Sequence, residues 1–187
     1  AGRGGVGTVM GSKKLKAIVL HGTQSVSVAD TAAYRKAGMA IYQACKAAEG
    51  LKEWTRYGTT VVTSWCDEVG ALPTRNFSAG SFEGGKSIYG QAMREQIVIT
   101  DKGCFGCPCP CGKYSHMKRY GTYVEGPEYE SIGLLGSNLG IADIQDVAQA
   151  NLLCDDLGID SISAGSAIGW AMECYEKGIF TQEDTGG

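Results

Sequence analysis

Apolar residues recur at helical spacing over most of the chain. After Asp30, a suitable N-cap, small and aliphatic side chains at positions 33, 37, 41, 44 and 48 follow a 3.6-residue period as far as Gly50. This pattern predicts a long amphipathic helix. Shorter helices are predicted over residues 60–69, 87–96, 128–136, 143–158 and 160–178, most of them bounded by a capping aspartate or a closing glycine. Residues 74–85 are expected to form a polar loop.

Extended segments are fewer and shorter. Residues 15–20 are rich in aliphatic side chains and end near Gly22, which predicts a strand, and the alternating aromatic stretch 114–124 predicts a hairpin or an irregular loop. The predicted fold class is therefore mainly α. A helical middle domain is expected over residues 28–187, preceded in residues 1–27 by a short β segment that ends an N-terminal β domain. Because the chain begins without methionine inside a glycine-rich turn, we expect it to be part of a longer protein.

Composition and charge narrow the function classes. The 187 residues are 43% hydrophobic, which excludes a disordered chain. The net charge of -3, from 17 basic and 20 acidic residues, offers no broad cationic surface, and this argues against nucleic acid as a partner. No apolar run approaches the roughly 18 residues that span a bilayer, and the start lacks a signal-peptide pattern. The sequence therefore predicts no membrane association and a cytoplasmic location.

The glycine-rich opening has two interpretations. Gly2, Gly4 and Gly7 formally match the G-x-G-x-x-G fingerprint of dinucleotide-binding proteins, but that fingerprint requires a helix after the glycines. Because the sequence predicts a strand there instead, we reject the dinucleotide interpretation. Glycines still let backbone N–H groups approach an anion, and Arg3 can contact a phosphate through two N–H groups. A phosphate-bearing cofactor and a simple tight turn both remain open.

The cysteines divide into a cluster and four scattered residues. The cluster can be read as C-x2-C-x3-C, formed by Cys104, Cys107 and Cys111 with Cys109 extra, or as C-x2-C-x-C-x-C. The first spacing suits a [4Fe–4S] cluster whose fourth ligand comes from elsewhere, whereas zinc sites usually use two separated C-x2-C pairs. An iron–sulfur cluster is favoured over zinc and over a loop that binds nothing. The scattered cysteines are predicted to pack as small apolar residues; they are Cys45, Cys66, Cys154 and Cys174.

Two acidic segments stand out, and each also has an ordinary structural explanation. Glu125, Glu128 and Glu130 flank Pro127, the expected first residue of a helix, where a carboxylate complements the helix dipole. Residues 155–160 combine a helix end, a closing glycine and an N-cap, as a turn between two helices would. Asp155 fits this explanation less well, because a carboxylate near a helix C-terminus meets the negative end of the dipole.

Four motifs in this order resemble the aldehyde:ferredoxin oxidoreductase family, whose members are tungsten, or rarely molybdenum, bis-pterin enzymes. The motifs are the opening from Ala1 to Ile18, the C-x2-C-x3-C loop, Gly126-Pro-Glu-Tyr-Glu-Ser131 and Cys154-Asp-Asp-Leu-Gly-Ile-Asp160. The resemblance covers essentially the whole chain. It implies that the chain runs from the end of the family's N-terminal pterin-binding β domain through most of its helical middle domain.

The resemblance also implies roles for individual residues. Glu130 would lie near the tungsten and act in acid/base chemistry or as a hydrogen-bond donor, together with a histidine beyond this chain. Three cysteines would bind the [4Fe–4S] cluster, with the fourth ligand beyond Gly187: Cys104, Cys107 and Cys111. Two residues would lie against the pterin phosphates, Gly2 and Arg3, and the cofactor would include associated magnesium. Four residues would contact a pterin: Asp155, Gly158, Ile159 and Asp160. Cys109 would not be a ligand.

The implied reaction is the oxidation of a small aldehyde to a carboxylic acid, with electrons passed through the cluster to ferredoxin or an iron–sulfur subunit, in an anaerobic metabolism. A related aromatic-ring reductase acting on benzoyl-CoA is an alternative within the family, and a non-catalytic iron–sulfur or zinc-binding module is an alternative outside it. One feature departs from some family members, which bridge subunits through iron bound by Glu-x-x-His. The corresponding stretch here is Gln149-Ala-Asn-Leu152, so an oligomer is possible but no such bridging-iron site is expected.

Overall fold

Helices dominate the computed structural model, which describes residues 2–186, and this confirms the mainly α fold class. Ala1, with which the glycine-rich motif begins, and Gly187, with which the predicted middle domain ends, lie outside the described residues. The helices of the described range are α1 Val6–Ser12, α2 Thr31–Ala47, α3 Gly50–Tyr57, α4 Val62–Glu68, α5 Gly90–Gln96, α6 Tyr129–Leu135, α7 Ile144–Leu157, α8 Ser161–Glu176 and α9 Gln182–Thr185. None of the helices in this range is both long and apolar enough to cross a membrane.

Aspartate caps start three helices where the sequence predicts them. Asp30 accepts a hydrogen bond from a first-turn N–H of α2 at 2.9 Å, and Asp143 accepts two from α7 at 2.8 and 3.4 Å. Asp160 accepts two from α8 at 3.1 and 3.4 Å. Each carboxylate satisfies N–H groups that have no partner inside the helix, which makes these boundaries readable from the sequence. Gly158 ends α7 with a φ of 68°, a conformation that favours glycine.

The predicted aromatic segment forms a hairpin. Strands β1 Val98–Lys102, β2 Gly112–Met117 and β3 Thr122–Glu125 make an antiparallel sheet in the order β1-β2-β3. In the hairpin Tyr114 stands opposite Glu125. The cysteine-rich loop connects β1 to β2, so adjacent strands of one sheet hold its two ends.

The hydrophobic core is centred on α6, in which every residue from Ser131 to Leu135 is buried. Helices α4, α7 and α8 pack against it. The large apolar side chains that are fully buried come from α5, α6, α7 and β2 and from the loops between elements: Leu72, Ile88, Met93, Met117, Ile132, Leu135, Ile144 and Val147. Because close-packed side chains resist displacement, this burial fixes the start of α6 relative to α7 and α8.

Three of the four scattered cysteines behave as small apolar residues, as predicted. Cys66 and Cys154 belong to the core cluster, and Cys174 is buried at the end of α8. Cys45 is only half-buried, because it lies on α2, which buries none of its residues within the described chain. The prediction that Cys45 packs in the core is therefore wrong.

The segment before α2 also differs from the prediction. Residues 15–20 form no strand, and the glycine-rich turn leads into helix α1 rather than into a strand. Val19 and Leu20 are each 89% exposed. A strand is stable only when its backbone pairs with a neighbour, and the three strands of the described residues all lie elsewhere. Helix α1 does not restore the dinucleotide interpretation, since those strands are antiparallel and form no parallel βαβ unit.

Smaller differences concern helix boundaries. Helix α3 differs from the prediction, in which Gly50 ends the long helix that follows Asp30. The long helix instead ends at Ala47, and the chain continues from Gly50 as a second helix. Helix α6 begins at Tyr129 with Glu128 as its N-cap, two residues after Pro127. Helix ends are the least determined part of a sequence pattern, because local hydrogen bonding and tertiary packing compete there.

Candidate functional site

A cavity of about 260 Å³ lies where the starts of α6 and α8, the last turns of α7 and the glycine-rich opening meet. Five residues predicted from the sequence line it: Gly2, Arg3, Glu130, Asp155 and Asp160. The other lining residues are Glu125, Glu128, Ser131, Asn151, Ser161 and Ile162. Tertiary folding thus brings together three motifs that lie far apart in the chain.

Two residues of the predicted set do not line this cavity. Gly158 and Ile159 form the turn between α7 and α8, where the Ile159 N–H donates to the Cys154 carbonyl at 2.8 Å. Their backbone sets the angle at which Asp155 and Asp160 approach each other from the two helices. Direct contact of Gly158 and Ile159 with a cofactor stays a prediction.

Glu130 owes its position to the packing of α6. It is the second residue of the helix, while the residues that follow it are buried in the core. Glu130 itself is exposed and lines the cavity. A carboxylate at this position is favoured by the positive end of the helix dipole, so the structural explanation given above also holds. The carboxylate of Glu130 is also part of the wall of a polar cavity.

Asp160 connects the glycine-rich opening to α8. Arg3 donates from Nε to Asp160 Oδ2 at 3.1 Å, and its side chain is 67% exposed against 16% for Asp160. Hydrogen bonds from Ser163, and then from Ile162 and Arg3, hold the pKa of Asp160 below its ordinary value. An ion pair with so exposed an arginine contributes little stability. The pair therefore orients Arg3 over the cavity more than it stabilises the fold.

A polar network lines the inner wall and was not predicted from the sequence. The Ser131 hydroxyl donates to Asn151 Oδ1 at 2.6 Å and lies 2.9 Å from the Ser161 hydroxyl. Asn151 Nδ2 donates to Asp155 Oδ2 at 3.3 Å. Helices α6, α7 and α8 are thereby joined by side chains that end at a cavity carboxylate. The only sequence signal was a polar residue, Asn151, at a buried position of α7.

Tyr129 of the Gly-Pro-Glu-Tyr-Glu motif has a packing role. Its hydroxyl donates to Cys66 Sγ at 3.2 Å, and burial, followed by this contact with Cys66, raises the pKa of the phenol. Its backbone N–H donates to Thr59 Oγ1 at 3.0 Å, and the Thr59 hydroxyl in turn donates to Glu128. The motif thus sends Tyr129 into the protein, while Glu128 and Glu130 line the cavity.

The cysteine-rich loop lies between β1 and β2 and presents its first two thiols to solvent. Cys104 and Cys107 are exposed and Cys111 is half-buried. The Cys107 N–H donates to the Cys104 carbonyl at 3.0 Å, closing a turn in which Gly106 has a φ of 73°. Cys109 differs from these three, because its Sγ lies 3.2 Å from Thr55 Oγ1 of α3.

The described part of the chain holds no ready-made metal centre. Among residues 2–186, no group of three or more His, Cys, Asp or Glu side chains is arranged to hold a metal ion. All eight cysteines are free thiols. The donor set nevertheless fits a [4Fe–4S] cluster, because three thiols at C-x2-C-x3-C spacing lie on one loop while the extra thiol of Cys109 is engaged by α3. The structure is therefore compatible with the prediction that Cys104, Cys107 and Cys111 are cluster ligands.

The cavity chemistry fits part of a pterin cofactor. Carboxylates accept hydrogen bonds from ring and amino N–H groups, and the guanidinium of Arg3 can pair with a phosphate. The cavity is slightly smaller than the roughly 300–1,000 Å³ of typical small-molecule pockets, so these residues can enclose only a portion of a bis-pterin.

Comparison with known proteins identifies relatives of the chain. Residues 36–187 match the family model described as aldehyde ferredoxin oxidoreductase, domains 2 and 3. Two proteins named tungsten-containing aldehyde ferredoxin oxidoreductase are 44% identical, from Pyrococcus abyssi, and 43% identical, from Thermococcus kodakarensis. A third relative, from Pyrococcus furiosus, is 30% identical and is named aliphatic sulfonate oxidoreductase, WOR-like subunit.

Each of these alignments covers 100% of the chain but only a minor part of the relative. The chain spans 31% of the length of the first two relatives and 30% of the third. The similarity therefore concerns one region of a larger protein in each case.

Proposed function

The chain belongs to the aldehyde ferredoxin oxidoreductase family, and we propose that it forms one wall of a tungsten pterin site and carries the loop for a [4Fe–4S] cluster in a larger oxidoreductase. The observation that carries this proposal is the convergence of the glycine-rich opening, the Gly-Pro-Glu-Tyr-Glu motif and the Asp155–Asp160 segment on one cavity. These three segments are far apart in the sequence and are polar where they meet. A shared binding role explains why they line the same cavity.

We assign the binding roles as follows. Arg3 would pair with a cofactor phosphate or its magnesium-bound oxygens, since Asp160 already orients its guanidinium. Asp155 and Asp160 would accept hydrogen bonds from N–H groups of the pterin, and Asn151 would hold Asp155 in place. Gly2 would leave room for the cofactor to approach the backbone. Gly158 and Ile159 complete the turn that sets this geometry.

Glu130 is the proposed catalytic residue. Aldehyde and water together yield a carboxylic acid, two protons and two electrons; the bound tungsten pterin would supply the redox chemistry and the cluster the one-electron transfer to ferredoxin. The carboxylate of Glu130 stands at the cavity mouth on a rigid helix start. From there it can accept a proton released by the reaction or hydrogen-bond to the reacting oxygen.

An aldehyde is the proposed substrate class, because the relatives at 43–44% identity are named for aldehyde oxidation and the one named for a sulfonate is 30% identical. Ferredoxin is the proposed electron acceptor on the same basis. The cytoplasm is the proposed location, because cysteines there are kept as thiols and remain available as cluster ligands. The division into residues 1–27 and 28–187 also remains our proposal.

The test is a metal and activity analysis of the full-length protein purified without oxygen. We expect about four iron and four sulfide per chain and close to one tungsten, or molybdenum in its place. We also expect reduction of ferredoxin that depends on added aldehyde. Zinc as the only metal would refute the proposal and leave a structural metal-binding module. Full metal content without aldehyde-dependent reduction would refute only the substrate.

A further inference from the structure

A buried lysine lies directly behind the cysteine-rich loop. The side chain of Lys113, in β2, is only 3% exposed. Its Nζ donates to the carbonyls of Thr55 at 2.8 Å, Pro110 at 3.2 Å and Cys111 at 3.2 Å. Lysine is almost never fully buried unless it is paired, because removing an ammonium from water is costly. The Gly112 carbonyl lies 3.4 Å from Nζ as well, so backbone oxygens from the end of the cysteine-rich loop, from β2 and from α3 surround the ammonium group.

The charge of Lys113 is only partly compensated. Asp101 in β1 has an Oδ1 3.2 Å from Lys113 Nζ, and the same oxygen accepts a hydrogen bond from Arg94. Burial acts to raise the pKa of Asp101, but hydrogen bonds from Arg94 and Lys113 outweigh it and the pKa lies below its ordinary value. Two cations thus share one carboxylate, which leaves an excess positive charge behind the loop.

Gly58 also packs closely against the backbone of Cys111. Gly58, with a φ of 68°, lies so close that a Cβ there would be 2.2 Å from the Cys111 carbonyl oxygen. The Lys113 carbonyl in turn accepts a hydrogen bond from the Gly126 N–H at 2.7 Å. Lys113 therefore connects the last cysteine of the loop with the first residue of the Gly-Pro-Glu-Tyr-Glu motif at the cavity.

We propose that Lys113 is a positioning residue for the iron–sulfur cluster. It holds the backbone carbonyls of Pro110 and Cys111 at the end of the loop that would bind the cluster, and its positive charge would stabilise the reduced, more negative form of the cluster. The reduction potential is thereby raised. This inference rests on the proposed function, since it requires that the loop bind a cluster.

The experiment compares variants of the full-length protein prepared without oxygen. Lys113→Met removes the charge and keeps the length of the side chain, and Lys113→Arg keeps the charge. Lys118→Met is the matched control, because Lys118 is exposed and follows the end of β2 that lies farther along the chain from the cysteine-rich loop. The readouts are iron and sulfide content, and the potential of the cluster in a redox titration followed by electron paramagnetic resonance.

We expect Lys113→Met to lower the ratio of reduced to oxidised cluster at a fixed potential about tenfold, which corresponds to about 59 mV for one electron. Iron and sulfide content should fall as well. Lys113→Arg should restore most of the potential, and Lys118→Met should match the unmodified protein. A potential and an iron content that do not change in Lys113→Met would overturn the inference.

A second variant covers the case in which Lys113→Met does not fold. Asp101→Asn removes the compensating carboxylate while Lys113 stays, so the potential should rise, the opposite direction to Lys113→Met. A merely structural role predicts no such rise, and an unchanged potential in Asp101→Asn would overturn the charge effect. Absence of iron in the unmodified protein would instead refute the proposed function itself, so the two failures are distinguishable.

Discussion

The cavity and the cysteine-rich loop present functional side chains in opposite ways. In the cavity, Asp155 and Asp160 project from helix ends, and Asp160 is already hydrogen-bonded to α8 and Arg3. In the loop the backbone is fastened by Lys113 and Gly58, while Cys104 and Cys107 stay exposed. In the cavity, contacts within the fold orient the carboxylate side chains themselves. In the loop, such contacts orient the backbone but not the exposed thiols.

This difference follows from the chemistry of the two groups. A carboxylate at pH 7 is charged and finds partners in N–H groups at helix N-termini and in arginine. A thiol is mostly neutral, is a weak hydrogen-bonding group, and becomes a good ligand only as a thiolate next to a cation. A site of thiols is therefore expected to take its final geometry from the metal, and a site of carboxylates from the fold.

The strongest test of this comparison is removal of one loop thiol. Cys107→Ala should abolish nearly all bound iron in the full-length protein, because a cluster cannot replace a missing thiolate ligand from an exposed loop. Cys109→Ala is the matched control, and iron should stay unchanged, since Thr55 engages that thiol. Iron analysis decides both. Equal iron loss in the two variants would favour the C-x2-C-x-C-x-C reading of the loop.

The next test separates chemistry from assembly in the cavity. Glu130→Gln should lower kcat for aldehyde oxidation by about 10²- to 10⁴-fold, the usual contribution of a general acid or base. Iron and tungsten content should not change, because the amide keeps the shape of the side chain. Glu95→Gln, at an exposed position of α5, serves as the control. Unchanged kcat in Glu130→Gln would exclude the proposed role.

A third test asks whether the fold alone organises the cavity wall. Asp160→Ala removes the N-cap of α8 and the partner of Arg3, and should lower the free energy of unfolding by about 1 kcal/mol. Asp160→Asn should recover most of it, because an amide oxygen also caps. We expect a smaller loss for Asp30→Ala, since α2 buries no residue within the described chain. Chemical denaturation measures all three; equal losses at Asp30 and Asp160 would contradict this reasoning.

The smallest expected effect is a loss of folding stability at acidic pH. The pKa values of Asp143 and Asp160 lie below their ordinary values: for Asp143 hydrogen bonds from Gln145 and Arg119 outweigh burial, and for Asp160 the bond from Ser163 is the main cause. A lowered folded-state pKa adds stability above the unfolded pKa, about 4, and this stability is lost as the pH falls through the folded pKa.

The melting temperature should therefore be steady above about pH 5 and fall below pH 4. Asp160→Asn should flatten part of that fall, because the amide does not titrate. Melting curves between pH 3 and 6 check this. An equally steep fall in the variant would mean that other carboxylates account for the acid sensitivity.

Local signals in the sequence predicted much of the fold. The capping aspartates, the glycine at the end of α7 and the alternation of the hairpin act over a few residues, so their structural effect is readable without the tertiary structure. Residues 15–20 show the limit of this reasoning. Their composition suits a strand, but a strand depends on a partner that the pattern of one segment does not reveal.

The site divides in the same way. The resemblance of four ordered motifs to a known family identified Arg3, Glu130, Asp155 and Asp160, whereas each of the acidic segments and the glycine-rich opening also has an ordinary local explanation. Asn151 was not predicted, since its significance comes only from hydrogen bonds to residues on other helices.

Lys113 is a further example. In β2 it lies two residues before the buried Ser115, and both face the protein interior. This alternation shows that Lys113 is on the buried face of the strand, but it does not show which groups Lys113 contacts there.

The sequence by itself therefore determined the helical character of the chain, the boundaries set by caps and the types of donor group available to a cofactor. Each of these depends on interactions between residues close in the chain. The tertiary structure decided which donors share a cavity, which thiol is engaged by α3 and which lysine is buried behind the loop. These depend on packing between distant segments, whose contacts arise only when the core around α6 excludes water.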